Sequence, residues 1–452
     1  MPVTNPETTR VIYRDLNGAY PTVVRGEGIY LFDADGNRYI DGSGGSAAVT
    51  AIGHGVSEVI DAMTAQARKL AYAPMHCFST DAIEECARLV VEEFAPAGMD
   101  RVWFVSGGSE ATENAVKMAL QYQRDRGETS KHIVISRWQS YHGATLASLS
   151  WSGNPARRKP YAAAMPAAEH IPPCNPYRPW LNSAPGEFGP DSAAYLDRVI
   201  KQLGAENVAA FIAEPIVGAT LGAVAAAPGY FQAIREICDR HGVVFIADEV
   251  MSGFGRTGKK FGIDHWGVTP DLIACAKGIA GGYAPLGAVI ARAEIVGEVR
   301  RRSGSFVIGH TSSGNPLSCA VGSAVLRYVL DHNLIENSAS TGAYFQERLV
   351  KLAARHEMIG DVRGLGLMLG IEFVQDRATK APFPVEWKVS KRIGDATLRR
   401  GLVSYPGAGT VDGVVGDHVL YTPPLTITPG QVDELIAILD ASLSAVAAEL
   451  PA

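Results

Sequence analysis

The stretch Asp271-Leu-Ile-Ala-Cys-Ala-Lys277-Gly278, continuing as Ile279-Ala-Gly281-Gly282-Tyr-Ala-Pro285-Leu-Gly287, decides how this chain reads. An apolar run of strand length ends in one lysine, and a glycine-rich loop follows. A lysine placed directly after buried residues is poorly solvated, which favours its neutral amine. A neutral amine is what attack on an aldehyde requires. A lysine at a strand end is more often a plain surface residue, so the reading depends on what surrounds it.

Upstream, Val208–Ala213 and Val243–Ala247 are further apolar runs, and Leu286–Ala291 is another downstream. Arg101–Val105 and His132–Ser136 complete the set. Helical periodicity over Gly229–His241 and after residue 108 alternates with them, which predicts an α/β fold with a mainly parallel, doubly covered sheet. Glu214, Asp248, Glu249 and Lys277 all follow strands directly, and the C-terminal edge of such a sheet is where ligands bind. After Val105 comes Ser106-Gly107-Gly108-Ser109-Glu110-Ala111, opening a helix to about residue 126. Free N–H groups, the helix dipole and small residues suit a phosphate there. An ordinary helix cap has the same composition, and no Gly-Lys-Ser/Thr of a P-loop follows.

The flanks read less sharply. Gly28–Asp33 and Arg38–Asp41 form a hairpin about the turn Ala34-Asp-Gly36-Asn. Asp41-Gly-Ser-Gly-Gly-Ser46 is a loop that either lines a pocket or simply turns. Helices are expected over 57–71, 80–94, 317–331, 340–356 and 429–450, and strands over Gly366–Phe373 and His418–Tyr421. Met75-His-Cys-Phe78 is core filling or a substrate contact. Nine prolines between 151 and 190 argue for a long ordered loop or a partner-contacting arm.

Composition excludes several classes. The chain has 452 residues, enough for two to four domains, with 41 Lys+Arg against 47 Asp+Glu and no basic stripe for nucleic acid. Six scattered cysteines without a C-x-x-C pair fit a reduced, cytoplasmic protein rather than a disulfide framework or a metal site. No signal peptide or membrane span is expected; Val208–Tyr230, the most apolar region, is broken by Glu214, Pro215 and glycines.

Together the lysine, the aspartate, the phosphate loop and the aromatic Tyr141 meet the needs of pyridoxal phosphate: an amine, an acid, a phosphate cradle and flat ring contacts. At this point the chain resembles the class III (subgroup II, ω-type) aminotransferases of the type I pyridoxal-phosphate fold, over nearly its whole length from Gly26. The motifs carrying this are Asp248-Glu-Val250 with Gly253-Phe-Gly-Arg-Thr-Gly258, Lys277-Gly278, Ser106-Gly-Gly-Ser-Glu-Ala111, Tyr141-His142-Gly143, Gly309-His-Thr311 and Val362-Arg-Gly-Leu-Gly-Leu-Met368. The resemblance implies a large domain over 70–320 and a smaller α+β domain built from 1–69 and 321–452.

It also implies catalytic roles for Lys277 and Asp248. Lys277 would bond the cofactor aldehyde and then shuttle a proton, and Asp248 would pair with the pyridine nitrogen. Tyr141 and Val250 would flank the ring, Gly108 and Ser109 would hold the phosphate, and His142 would join the cofactor site. The partner subunit's Thr311 would complete the cradle, so the site would need a homodimer, alone or paired into a tetramer. Glu214 would stand at the cofactor edge or serve as a structural carboxylate. The implied reaction moves an amino group from an amine or ω-amino acid to a keto acid, pyruvate in the simplest case. Racemase, decarboxylase or aminomutase chemistry on the same scaffold, or a non-catalytic phosphate-ligand binder, are the competing readings.

Departures from the pattern concern the substrate. Relatives acting on ornithine or 4-aminobutyrate often carry glutamine where Met251 and Val217 stand. Gly44-Gly-Ser-Ala-Ala48 replaces a bulky aromatic usual in the ω-branch, which implies a roomier pocket. Ser404-Tyr405-Pro-Gly-Ala-Gly-Thr-Val-Asp412 lacks the arginine that clamps carboxylates there, so the residue binding an acceptor's carboxylate is unassigned.

Overall fold

The structure is a computed structural model and describes residues 4–451; residues 1–3 and 452, assigned above to the smaller domain, lie outside the described residues. Its centre is a seven-stranded sheet, in the order Met99–Val105, Gly287–Arg292, Leu272–Ala276, Val244–Asp248, Val208–Ala213, Ile133–Arg137 and Glu169–Ile171. The pairs from Leu272–Ala276 through to Glu169–Ile171 are parallel. Gly287–Arg292 runs antiparallel to both neighbours.

The apolar runs are continuous because both faces are covered. Val244 and Ile246 point to one face with Ala210, Ile212, Leu272 and Ala274, packed by helix Gly108–Asp125 through Ala111, Ala115, Val116 and Ala119. Phe245 and Ala247 point to the other with Phe211, Ala213, Ile273 and Cys275, packed by helix Tyr230–His241 through Phe231 and Ile234. A strand alternates its side chains, so a strand sandwiched between helices leaves no polar side. Phe245 is fully buried, its ring stacked on Phe231 at 5.8 Å between centroids. Phe245→Ala is expected to cost about 3–5 kcal/mol of stability; denaturant unfolding checks this, and a loss under about 1 kcal/mol would mean that the site collapses around the deletion.

Two four-stranded sheets stand outside this centre. Ile359–Leu365, Met368–Phe373, Asp417–Tyr421 and Tyr405–Ala408 form one. The other holds Val23–Glu27, Tyr30–Asp33 and Arg38–Asp41, and its fourth strand is Leu402–Val403, which pairs parallel with Ile40 and Asp41. The expected hairpin is therefore present, extended by a preceding strand. The expected strand over 366–373 is the second arm of a longer hairpin whose first arm begins at Ile359.

The proline-rich region departs from a plain loop. It contains short helical turns at Pro155–Arg158 and Lys159–Ala164, the edge strand Glu169–Ile171, and the start of helix Phe188–Leu203. Pro155 sits in a first turn behind Asn154, whose side chain accepts from the Arg157 N–H at 3.0 Å. Proline is tolerated there because a first-turn N–H has no helical acceptor. Among the described residues no helix is long and apolar enough to cross a membrane.

Candidate active site

Four parallel strands deliver their polar ends to one edge. Beyond that edge lies a cavity of about 150 Å³, lined by Gly108, Ser109, Tyr141, His142, Gly143, Glu214, Ile216, Asp248, Val250, Met251 and Lys277. Every sequence-predicted site residue except Thr311 is in that lining. Thr311 is exposed, and its carbonyl accepts from the Tyr72 hydroxyl at 2.7 Å, away from the cavity of its own chain. Met75–Phe78 lies in a different depression with Ile83, Val91 and Phe104. Met251, a departure from the amino-acid-specific relatives, does reach the lining, whereas Val217 does not.

Lys277 follows its strand in a left-handed conformation, φ 50°. That conformation costs a non-glycine residue on the order of 1–2 kcal/mol, so tertiary packing holds it. Its Nζ donates to the Ala47 carbonyl at 3.0 Å. Burial pulls its pKa down to about 8, against the opposing pull of the Asp248 and Glu214 carboxylates. The acceptor lies within Gly44–Ala48, a run of five residues all at positive φ, from 60° to 81°. Gly44 allows this turn to lie against the residue that follows strand Asp417–Tyr421: a Cβ there would meet the Thr422 carbonyl oxygen at 2.2 Å.

Asp248 is held at both oxygens. Oδ2 lies 2.7 Å from His142 Nδ1, and Oδ1 accepts from the Val250 N–H at 3.1 Å. His142 is itself fixed, its N–H donating to Ser152 Oγ at 2.8 Å and its carbonyl accepting from the Thr112 hydroxyl at 2.7 Å. Its Nε2 is buried without a partner among the described residues. Glu214 Oε2 accepts from the Tyr141 N–H at 3.1 Å. Burial, reinforced by the Asp248 charge, raises the Glu214 pKa to about 7 even with His142 and Arg137 nearby.

The phosphate-loop expectation has a structural counterpart. Gly107 caps the helix without a side-chain bond, which leaves first-turn N–H groups free at the cavity. A Cβ on Gly108 would meet Val250 Cγ1 at 2.9 Å, and one on Gly143 would meet Ser109 Oγ at 2.7 Å and Ser148 Oγ at 2.3 Å. Both glycines let side chains on the other wall close in. Gly143→Ala, at φ 145°, should destabilise the protein by about 1–3 kcal/mol, visible as a lowered Tm; an unchanged Tm would mean that the Ser148 hydroxyl simply turns aside.

A buried amine, a carboxylate gripped by two donors, free N–H groups at a helix start and a flat Tyr141 ring together fit an aldehyde, a pyridine nitrogen and a phosphate. The residues present therefore fit pyridoxal phosphate on their own chemistry. Glu249, quoted in the motif but given no task, has a structural one. It is fully buried and accepts from the Ser252 hydroxyl and the Gly262 and Ile263 N–H groups at 2.6–2.8 Å. It ties Ser252 to the start of the turn Gly262–Trp266, and so holds together the two ends of the glycine-rich loop 253–258; burial raises its pKa to about 7.

Comparison with known proteins agrees. The family model for class-III aminotransferases matches residues 14–443. An uncharacterized aminotransferase of Bacillus subtilis, YodT, is 40% identical over 96% of this chain and 98% of its own. The putrescine–pyruvate aminotransferase of Pseudomonas aeruginosa is 37% identical, covering 96% and 93%. The crystal structure of an amine transaminase from an uncultivated Pseudomonas species, in its pyridoxal-phosphate-bound form, superposes with a TM-score of 0.90 at 34% identity, covering 97% and 98%. The chain belongs to the class-III aminotransferases, pyridoxal-phosphate-dependent transferases of fold type I.

Proposed function

We propose that the protein moves an amino group from an amine or ω-amino acid to a keto acid, with pyruvate as the simplest acceptor, in two half-reactions that share one site. The observation that supports this most is the convergence of Lys277, Asp248 and His142 on a single cavity. The likeness to a putrescine–pyruvate aminotransferase supports the choice of an amine donor and pyruvate. Bound pyridoxal phosphate supplies an electron sink for the bond that breaks at the substrate Cα.

The chain's own part is as follows. Lys277 would hold the cofactor aldehyde through its Nζ, and the same Nζ would carry the proton that leaves the substrate Cα. Asp248, oriented by His142, sets a negative charge against the pyridine nitrogen. Tyr141 and Val250 flank the ring, while Gly108, Ser109 and the helix N-terminus hold the phosphate. Glu214 bounds the substrate side. The partner subunit's Thr311 completes the phosphate cradle, so the working unit is a homodimer, as such or in pairs, in the cytoplasm. The division into a large domain over 70–320 and a small one over 1–69 and 321–452 belongs to the same proposal.

A panel of amines against keto acids tests the function. Acceptor-dependent turnover with one carbonyl product per amine consumed is expected. Product formed beyond one equivalent per site without any acceptor would instead indicate racemase, decarboxylase or aminomutase chemistry.

The amine's pKa gives a second test. At pH 7 a lysine of pKa near 8 is neutral about a tenth of the time, against roughly three parts in ten thousand for an unperturbed one. The neutral form is the reactive one, so uptake of the cofactor aldehyde by cofactor-free protein should speed up with rising pH. The expected gain is about tenfold per unit below about 8 and little above it. Stopped-flow absorbance measures it, and a rate still climbing at pH 10 would mean that burial does not shift this lysine.

A further inference from the structure

A keto acid brings a carboxylate, and stretch 404–412 offers no cation to receive it. The fold supplies one from elsewhere. Arg157, in the short turn Pro155–Arg158, comes down beside Tyr405 and over Tyr141. Its Nη2 donates to the Tyr405 hydroxyl at 3.4 Å, and its guanidinium carbon lies 4.5 Å from the centre of the Tyr141 ring. We propose that Arg157 is the carboxylate-recognising residue of this enzyme, taking the acceptor's carboxylate while it rests on Tyr141 and beside the Tyr405 hydroxyl. The proposal rests on the transamination reading above and deepens it.

Three observations carry it. First, Arg157 is half-buried and pairs with no carboxylate among the described residues; its one guanidinium hydrogen bond is the long one to Tyr405. A guanidinium presents a planar fork of donors matched to a carboxylate, and this fork is uncommitted. Second, it is near the chemistry: its charge disfavours the protonated form of Lys277. Third, the other arginines around the cleft are engaged. Arg137 is fully buried, donates to the Glu214 carbonyl and packs near the rings of Tyr230 and Phe231. Arg256 is buried and donates to the Leu367 and Pro423 carbonyls. Arg363 pairs with Asp361 and Glu372, and Arg178 pairs with Glu372 as well.

The placement also explains how one pocket serves two unlike substrates. With an amine donor that lacks a carboxylate, the guanidinium keeps its contact with the Tyr141 ring and needs no counter-ion. With a keto acid, it adds a charged contact to that one, and the Tyr405 hydroxyl stands by as a further donor.

The test uses the cofactor-loaded enzyme and the variants Arg157→Met and Arg157→Lys. With one amine donor, kcat/KM is measured for pyruvate and for propanal, an acceptor of similar size without the carboxylate. In Arg157→Met the pyruvate-to-propanal ratio should fall at least about tenfold, chiefly through KM, and Arg157→Lys should recover part of it. In parallel, propionate, which cannot react, is titrated against the cofactor absorbance; its dissociation constant should rise about tenfold in Arg157→Met. An unchanged ratio, or an equal fall for both acceptors, overturns the assignment. Weakened propionate binding would support Arg157 even if no amine proved to be a donor, so this proposal and the transamination reading fail separately.

Discussion

Lys277→Ala should lose at least about 10⁴-fold in turnover while the protein stays folded. The effect is large because, on the proposed reading, one amine does two jobs, binding the cofactor aldehyde and carrying the proton. Among the described residues no other amine lines the cavity. The structural cost is small by comparison. Alanine empties a buried site and leaves the Ala47 carbonyl without its donor, which amounts to about 1–3 kcal/mol. Two measurements separate catalysis from folding. Borohydride reduction followed by mass spectrometry should find cofactor fixed to the wild type and none fixed to the variant. Added methylamine should restore a little turnover to the variant by replacing the missing base. A variant that still carried reducible cofactor would put the bond on another residue.

Asp248→Asn should lower kcat by about 10²–10⁴-fold with little change in KM. The substitution keeps the shape and removes the charge, in a site only 3% exposed. The expected defect is thus electrostatic: the pyridine nitrogen loses the partner that keeps it protonated. Asparagine can still bond His142 and the Val250 N–H, so Tm should move little. Asp248→Ala is the harsher case, because it strands the buried His142 Nδ1, and it should lower Tm as well. His142→Ala should show a milder form of the kcat defect, since Asp248 keeps its charge but loses its orientation. If Asp248→Asn retained full kcat, the aspartate would be a structural residue and the ring would lie elsewhere.

Much of the site was legible because its residues sit at the ends of apolar runs. Leu272–Ala276 and Val244–Asp248 are buried on both faces, so their boundaries show as abrupt changes of polarity at Lys277 and Asp248. The same rule located Glu214 after Val208–Ala213. Direction was not legible: Gly287–Arg292 has the same apolar composition as its neighbours yet runs against them. Helix Phe188–Leu203 was hidden by Pro185, Gly189 and Pro190, which read as loop although proline is at home in a first helical turn. Arg157 was invisible for another reason. Its claim depends on contact with Tyr405 and Tyr141, and nothing in the turn Pro155–Arg158 records that meeting. Glu249 was seen but not understood, because its partners are backbone N–H groups of a loop that closes back on it.

The pairing of Leu402–Val403 with Arg38–Asp41 has a consequence for biosynthesis. The first three strands of that sheet leave the ribosome early, but their fourth neighbour is made only when most of the chain is out. At about 5–20 residues per second, Ile40 waits on the order of tens of seconds for Leu402. Through that interval the nascent chain carries an open β edge at Arg38–Asp41, a natural client for a chaperone, and any message truncated before codon 402 leaves that edge open for good.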